Sequence, residues 1–267
     1  MNSLVKLNQR IDTANSLVSV GLDSDMRYMP RQFRDDPFPQ FAFNRWVIEE
    51  TRQYVSAFKA NMAFYEARGD RGLSELKMTI DYIHERYPDI FTMCDAKRAD
   101  VGSSNLGYVD AIYDWLGFDA VTLHPYLGRH ALQPFLDRAD KVSVIVCRTS
   151  NPGAREIQDI DVAGRPLWLH LAEKVSKEWN TNENCMMIVG AMEPQEYQQM
   201  RGLIGDMTIL IPGIGTQGGA IQRIVEAALN SAKRGVLVNS ARSIIFADDP
   251  STAAKRLRDD INICRKA

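Results

Sequence analysis

The residues best suited to chemistry cluster in the segment FTMCDAKRADVGSS, which carries Asp95, Lys97 and Asp100. Asp95 and Lys97 are two apart, and in a β-strand side chains at i and i+2 share a face. If that face is interior, a carboxylate and an ammonium there carry a heavy desolvation cost unless they are paired. A bare Asp-x-Lys could equally be a structural pair that sets register. Lys59, in YVSAFKAN, ends an earlier apolar run and would look toward the same place. Two lysines alternating with carboxylates keep both ammonium groups charged, because each has a neighbour of opposite sign. Such an array suits a reaction that needs a fixed proton donor beside developing negative charge. Asp100 lies beyond the regular strand, so the segment alone does not force it into the same pocket.

A second constellation lies near the C-terminal end of the sequence. In LIPGIGTQGGAIQRIVEA a strand runs through Pro212 into Gly213, Gly215, Gly218 and Gly219, and then into a helix. Glycines there free backbone N–H groups and a helix N-terminus for an anion. In VLVNSARSIIF the last strand ends at Ser240, Ala241 and Arg242, which adds a guanidinium. With Gln217 between them, the two segments read as a phosphate site, although glycines alone could merely serve turns.

The elements that must position these groups are short β-branched runs: 18–23, 55–61, 90–95, 120–124, 142–147, 186–189, 208–212 and 236–240. They recur about every 31 residues, the length of a strand, a crossover helix and two loops. Between them lie amphipathic segments such as LSELKMTIDYIHERY and RPLWLHLAEKVSKEW. The alternation predicts an α/β fold and fits an open doubly wound sheet as well as a closed barrel. Asp23, Lys59, Asp95, Ser150 and the SARS segment all end different runs, and so many strand ends meet only around the mouth of a (β/α)8 TIM barrel. No Pro/Gly/Ser-rich linker divides the chain, so residues 1–267 are expected to form one barrel domain.

Lys+Arg 32 against Asp+Glu 34 gives a net charge of -2, which offers no global pull toward nucleic acid or anionic membrane. No run approaches the roughly 20 apolar residues that span a bilayer. The opening MNSLVKLNQRID is broken by charges before a signal peptide could develop. Cys94, Cys147, Cys185 and Cys264 form no CxxC pair, so a cytoplasmic protein without a disulfide framework is expected. No metal-ligand cluster is visible, and neither metal nor cofactor is expected.

VGLD, FKAN, DAKRAD, TSNPG, PGIGTQGG and NSARSI occur in the order and spacing of the orotidine 5′-phosphate decarboxylases, and the chain resembles their longer bacterial subfamily. The resemblance implies a cofactor-free carboxy-lyase that converts orotidine 5′-phosphate to UMP and CO2. It implies a catalytic tetrad of Lys59, Asp95, Lys97 and Asp100, with Asp100 supplied by the partner subunit of a homodimer. It also implies that Asp23 binds ribose hydroxyls, Asn61 sits beside the sugar, Ser150 contacts the pyrimidine, and Gln217 and Arg242 hold the phosphate with Pro212, Gly213 and Ala241. Ser104 stands where many relatives carry threonine and would act across the dimer. Alternatives are a metal-dependent sugar-phosphate decarboxylase or aldolase of related barrel type, a Schiff-base aldolase, or a barrel that binds nucleotide without turnover. The metal-dependent enzymes would place an acidic residue near the end of the second strand, where Lys59 stands.

Overall fold

The computed structural model describes residues 2–190, 193–213 and 218–266. The eight β-branched runs all become strands: β1 Val18–Gly21, β2 Ala57–Asn61, β3 Phe91–Arg98, β4 Ala120–Leu123 and β5 Val142–Arg148 in the first part of the chain. A short antiparallel hairpin, β6 Asp161–Val162 and β7 Arg165–Pro166, precedes the last three, β8 Cys185–Val189, β9 Ile209–Pro212 and β10 Val236–Ser240. All strands but the hairpin pair in parallel and close in the order β1-β10-β9-β8-β5-β4-β3-β2. Parallel pairing requires crossovers, and helices such as Pro39–Thr51, Gly69–Arg86 and Gly218–Ala228 supply them. Val18, Val20, Val121, Val144, Ile211 and Val238 are fully buried, which is why these strands carry continuous apolar runs instead of alternating ones.

Two features were not legible in the sequence. The helix Ser3–Ala14 packs at the N-terminal ends of β3 and β4, where Lys6 Nζ meets Asp119 at 2.8 Å and Ser3 Oγ donates to the same carboxylate at 3.1 Å. Asp119 also accepts from the backbone and hydroxyl of Thr92. The β6–β7 hairpin turns on Ala163 and Gly164, both at positive φ, within the long loop after β5. Glycine is required more strictly at Gly21, where a Cβ would stand 2.6 Å from that of Ala241. There the first strand closes against the segment after the last.

Candidate active site

The C-terminal strand ends bring four of the expected charges together. Lys59 on β2 lies between β1 and β3 in register with Gly21 and Met93, and is 4% exposed. Its Nζ donates to Asp95 Oδ2 at 2.8 Å and stands 3.9 Å from Asp23 Oδ1. Lys97 Nζ donates to the other oxygen of Asp95 at 2.6 Å. The Asp95 carboxylate is therefore bracketed by two ammonium groups from adjacent strands.

Burial alone would raise the Asp95 pKa, but Lys59 and Lys97 outweigh it and hold this carboxyl well below the carboxylate range. Burial likewise pushes Lys59 down, and the attraction of Asp23 and Asp95 more than reverses it. Asp23 goes the other way. Its pKa is raised, burial being the largest cause, because Lys59 is too far to hydrogen-bond and Asp95 repels it. Asp23 Oδ1 is buried without a hydrogen-bond partner, an acceptor facing the site that a ligand hydroxyl could satisfy.

These shifts fix the sign of a pH effect. The depressed Asp95 carboxyl contributes stability that is present above its ordinary value of 3.8 and lost as pH falls below it. In acid unfolding followed by circular dichroism, Asp95→Asn is expected to flatten the loss of stability below about pH 4. An unchanged acid limb would contradict the pairing.

Lys97 reaches Asp95 by a route that strand alternation does not describe. From Cys94 to Arg98 β3 spends four residues where β4 spends two, from Val121 to Leu123, so the ladder is broken there. Lys97 sits in the break at φ 46°, in the left-handed region that non-glycine residues rarely occupy. The expectation of a shared strand face is thus corrected: the two side chains meet because the backbone departs from the strand. Thr122 on β4, which the sequence did not single out, meets both residues; its hydroxyl accepts from Lys97 N at 2.8 Å and donates to Asp95 Oδ1 at 3.0 Å.

Asp100 does not join the cluster within this chain. It is exposed, and its carboxylate accepts from Val101 N at 2.6 Å. Ser104, two residues into the helix Gly102–Val109, is exposed beside it. Asn61 ends β2 and its side chain caps the next helix by accepting from Ala63 N. Ser150 is exposed at the mouth, held close to β8 because Gly190 has no side chain; a Cβ there would lie 2.7 Å from Ser150 N. Pro212 and Gly213, the latter at φ 69°, end β9 next to Asn239 of β10. Ala241 and the exposed Arg242 follow β10 directly. Gln217 lies outside the described residues.

Three further residues at or just after the strand ends have defined partners. Arg148 organises the long loop, pairing with Asp159 at 3.0 Å and with Gln158 Oε1 at 3.1 Å. Arg98 pairs with Glu66 and lies over the Tyr108 ring. His124 lines a cavity of about 590 Å³ with Lys97, Cys147, Asn151, Ile157 and Trp168. Burial, reinforced by Lys97, pushes its imidazole below the ordinary value. Among the described residues, no group of three or more His, Cys, Asp and Glu side chains is placed to hold a metal ion.

Comparison with known proteins agrees with this architecture. The family model described as orotidine 5′-phosphate decarboxylase / HUMPS family matches residues 17–257. The chain is 42% identical over 271 residues to the orotidine 5′-phosphate decarboxylase of Thermomicrobium roseum, covering 98% of this chain and 95% of that one. It is 42% identical over 244 residues to that of Herpetosiphon aurantiacus, covering 91% and 89%. The OMP decarboxylase structure from Leishmania donovani superposes with a TM-score of 0.89 at 31% identity, covering each chain in full. A closed barrel that gathers Lys59, Asp95 and Lys97 at its mouth, together with matches that span nearly the whole sequence, places this chain in the orotidine 5′-phosphate decarboxylase / HUMPS family.

Proposed function

We propose that the protein decarboxylates orotidine 5′-phosphate to UMP, with residues 1–267 acting as one catalytic domain in a cytoplasmic homodimer. The observation that carries the reading is the Asp95 carboxylate held between two ammonium groups, one of them on a strained backbone at the mouth. Loss of CO2 from ring carbon C6 leaves an electron pair in the ring plane, where the ring carbonyls cannot delocalise it. A fixed ammonium beside C6 stabilises that charge as it forms and then protonates the carbon, the role assigned to Lys97. Asp95 lies next to the departing carboxylate, and their repulsion is relieved as CO2 leaves. Lys59 holds Asp95, and Asp23, with its unpartnered oxygen, takes the ribose hydroxyls beside Asn61. Ser150 reads the pyrimidine.

Phosphate binding falls to Arg242 and Gln217, with the backbone around Pro212, Gly213 and Ala241. The phosphate is remote from C6, so its binding energy serves to close the site in the transition state. Arg242→Ala is expected to cost about 3 kcal/mol of transition-state stabilisation, roughly 10²-fold in kcat/KM, as for a charge-assisted contact. Steady-state kinetics giving an unchanged kcat/KM would remove Arg242 from the phosphate.

The dimer reading is supported by exposed apolar side chains around Asp100 and Ser104. Val101, Leu106, Tyr126 and Leu127 are about half exposed or more, an arrangement suited to burial against a second copy. Asp100 and Ser104 of one protomer would then enter the partner's site. All four cysteines are free and buried, in keeping with a reducing compartment.

The reading is tested by adding orotidine 5′-phosphate to the purified protein in the presence of a chelator and following the orotate absorbance. Loss of absorbance with formation of UMP is expected, at the same rate with and without chelator. Nucleotide bound without turnover would leave a binding barrel, and activity abolished by chelation would favour the metal-dependent relatives.

A further inference from the structure

Thr122 is fully buried at the C-terminal end of β4, two residues before His124. Its hydroxyl touches both halves of the Asp95–Lys97 pair: it accepts from Lys97 N at 2.8 Å and donates to Asp95 Oδ1 at 3.0 Å. That oxygen is also the one that accepts from Lys97 Nζ at 2.6 Å. The three groups form a closed ring in which one hydroxyl spans the backbone of Lys97 and the carboxylate its side chain binds. The Lys97 N–H needs such a partner, because the register break between Cys94 and Arg98 removes it from the regular ladder.

Resting on the decarboxylase reading, we propose that Thr122 is a positioning residue for catalysis, holding Lys97 in its left-handed conformation and Asp95 in line with it. A hydroxyl is suited to this because it donates and accepts at once. An amide backbone group could supply only one of the two bonds, and a carboxylate would repel Asp95. Valine has the shape of threonine and would leave the barrel packed while removing both bonds. The Lys97 backbone would then relax toward ordinary strand geometry and carry the ammonium away from the reacting carbon.

The test is steady-state kinetics with orotidine 5′-phosphate, together with UMP binding, on the wild-type protein and the Thr122→Val, Thr122→Ser and Thr122→Ala variants. Thr122→Val is expected to lower kcat by roughly 10–100-fold, the scale of a small misplacement of a catalytic group, with KM and UMP affinity within about threefold of wild type. Thr122→Ser, which loses a buried methyl but keeps the hydroxyl, is expected to restore kcat to within about threefold of wild type despite a lower melting temperature. A Thr122→Val variant with kcat within about twofold of wild type would overturn the proposal. So would a serine variant as slow as the valine variant. Should the valine variant fail to fold, the serine and alanine variants decide: kcat higher in serine by about tenfold or more supports the positioning role, and parity overturns it. Wild-type protein that leaves orotidine 5′-phosphate unchanged would instead sink the decarboxylase reading, and this inference with it.

Discussion

Lys97→Ala is expected to lower turnover of orotidine 5′-phosphate by about 10⁴-fold or more while UMP still binds. Two contributions are lost together: proton donation to the carbon, worth roughly 10²–10⁴-fold, and stabilisation of the forming charge, worth roughly 10²–10³-fold. The side chain is 43% exposed, so its removal opens no large cavity, and Asp95 keeps Lys59 Nζ at 2.8 Å and the Thr122 hydroxyl at 3.0 Å. In the proposed site, binding of the product relies on phosphate and ribose contacts made by residues other than Lys97. Stopped-flow or discontinuous assays for turnover, with calorimetry for UMP, separate the two. Residual turnover within tenfold of wild type would take the proton-donor role from Lys97.

Asp100→Ala is expected to lower kcat/KM by about 10³-fold, the loss of two hydrogen bonds to charged or polarised groups in a closed site. The expectation is sharp because the single chain gives no hint of it. Asp100 is exposed and its carboxylate accepts from the neighbouring Val101 N, while its backbone pairs with the Asn105 side chain; among the described residues it forms no ion pair with either lysine. In a site built from one chain the substitution would be nearly silent, and as a surface change it should alter stability by no more than about 0.5 kcal/mol. Thermal melts alongside the kinetics therefore distinguish a lost catalytic contact from a damaged fold.

The barrel was legible because parallel strands buried on both faces read as continuous apolar runs, and eight of them recurred at a crossover-helix spacing. Lys59 and Asp95 were legible for a related reason: charges at the ends of buried strands have few innocent explanations. The path of Lys97 was not. Its two-residue spacing from Asp95 suggests a shared strand face, whereas the contact depends on a register break and a left-handed residue that composition cannot signal. Thr122 was invisible because one threonine in AVTLH reads as strand filler, and only its hydrogen bonds to Asp95 and Lys97 reveal its place. The helix Ser3–Ala14 escaped notice for want of a motif, its role depending on contacts to a distant Asp119. Arg148 carries no motif in the sequence, and its place is set by Asp159 and Gln158, which come back across the loop to meet it.

The central claim is that three charges from one protomer and a fourth from its partner act as one device. Mixing Lys97→Ala and Asp100→Ala protomers, after denaturation and refolding together, tests it most directly. In a two-fold dimer each mixed pair carries one doubly deficient site and one intact site, so random assortment should restore about a quarter of wild-type activity. Recovery to that level, from two preparations each nearly inactive alone, is the expected result. Activity that stays at the level of the separate variants, in a mixture shown to contain mixed dimers, would contradict the shared site.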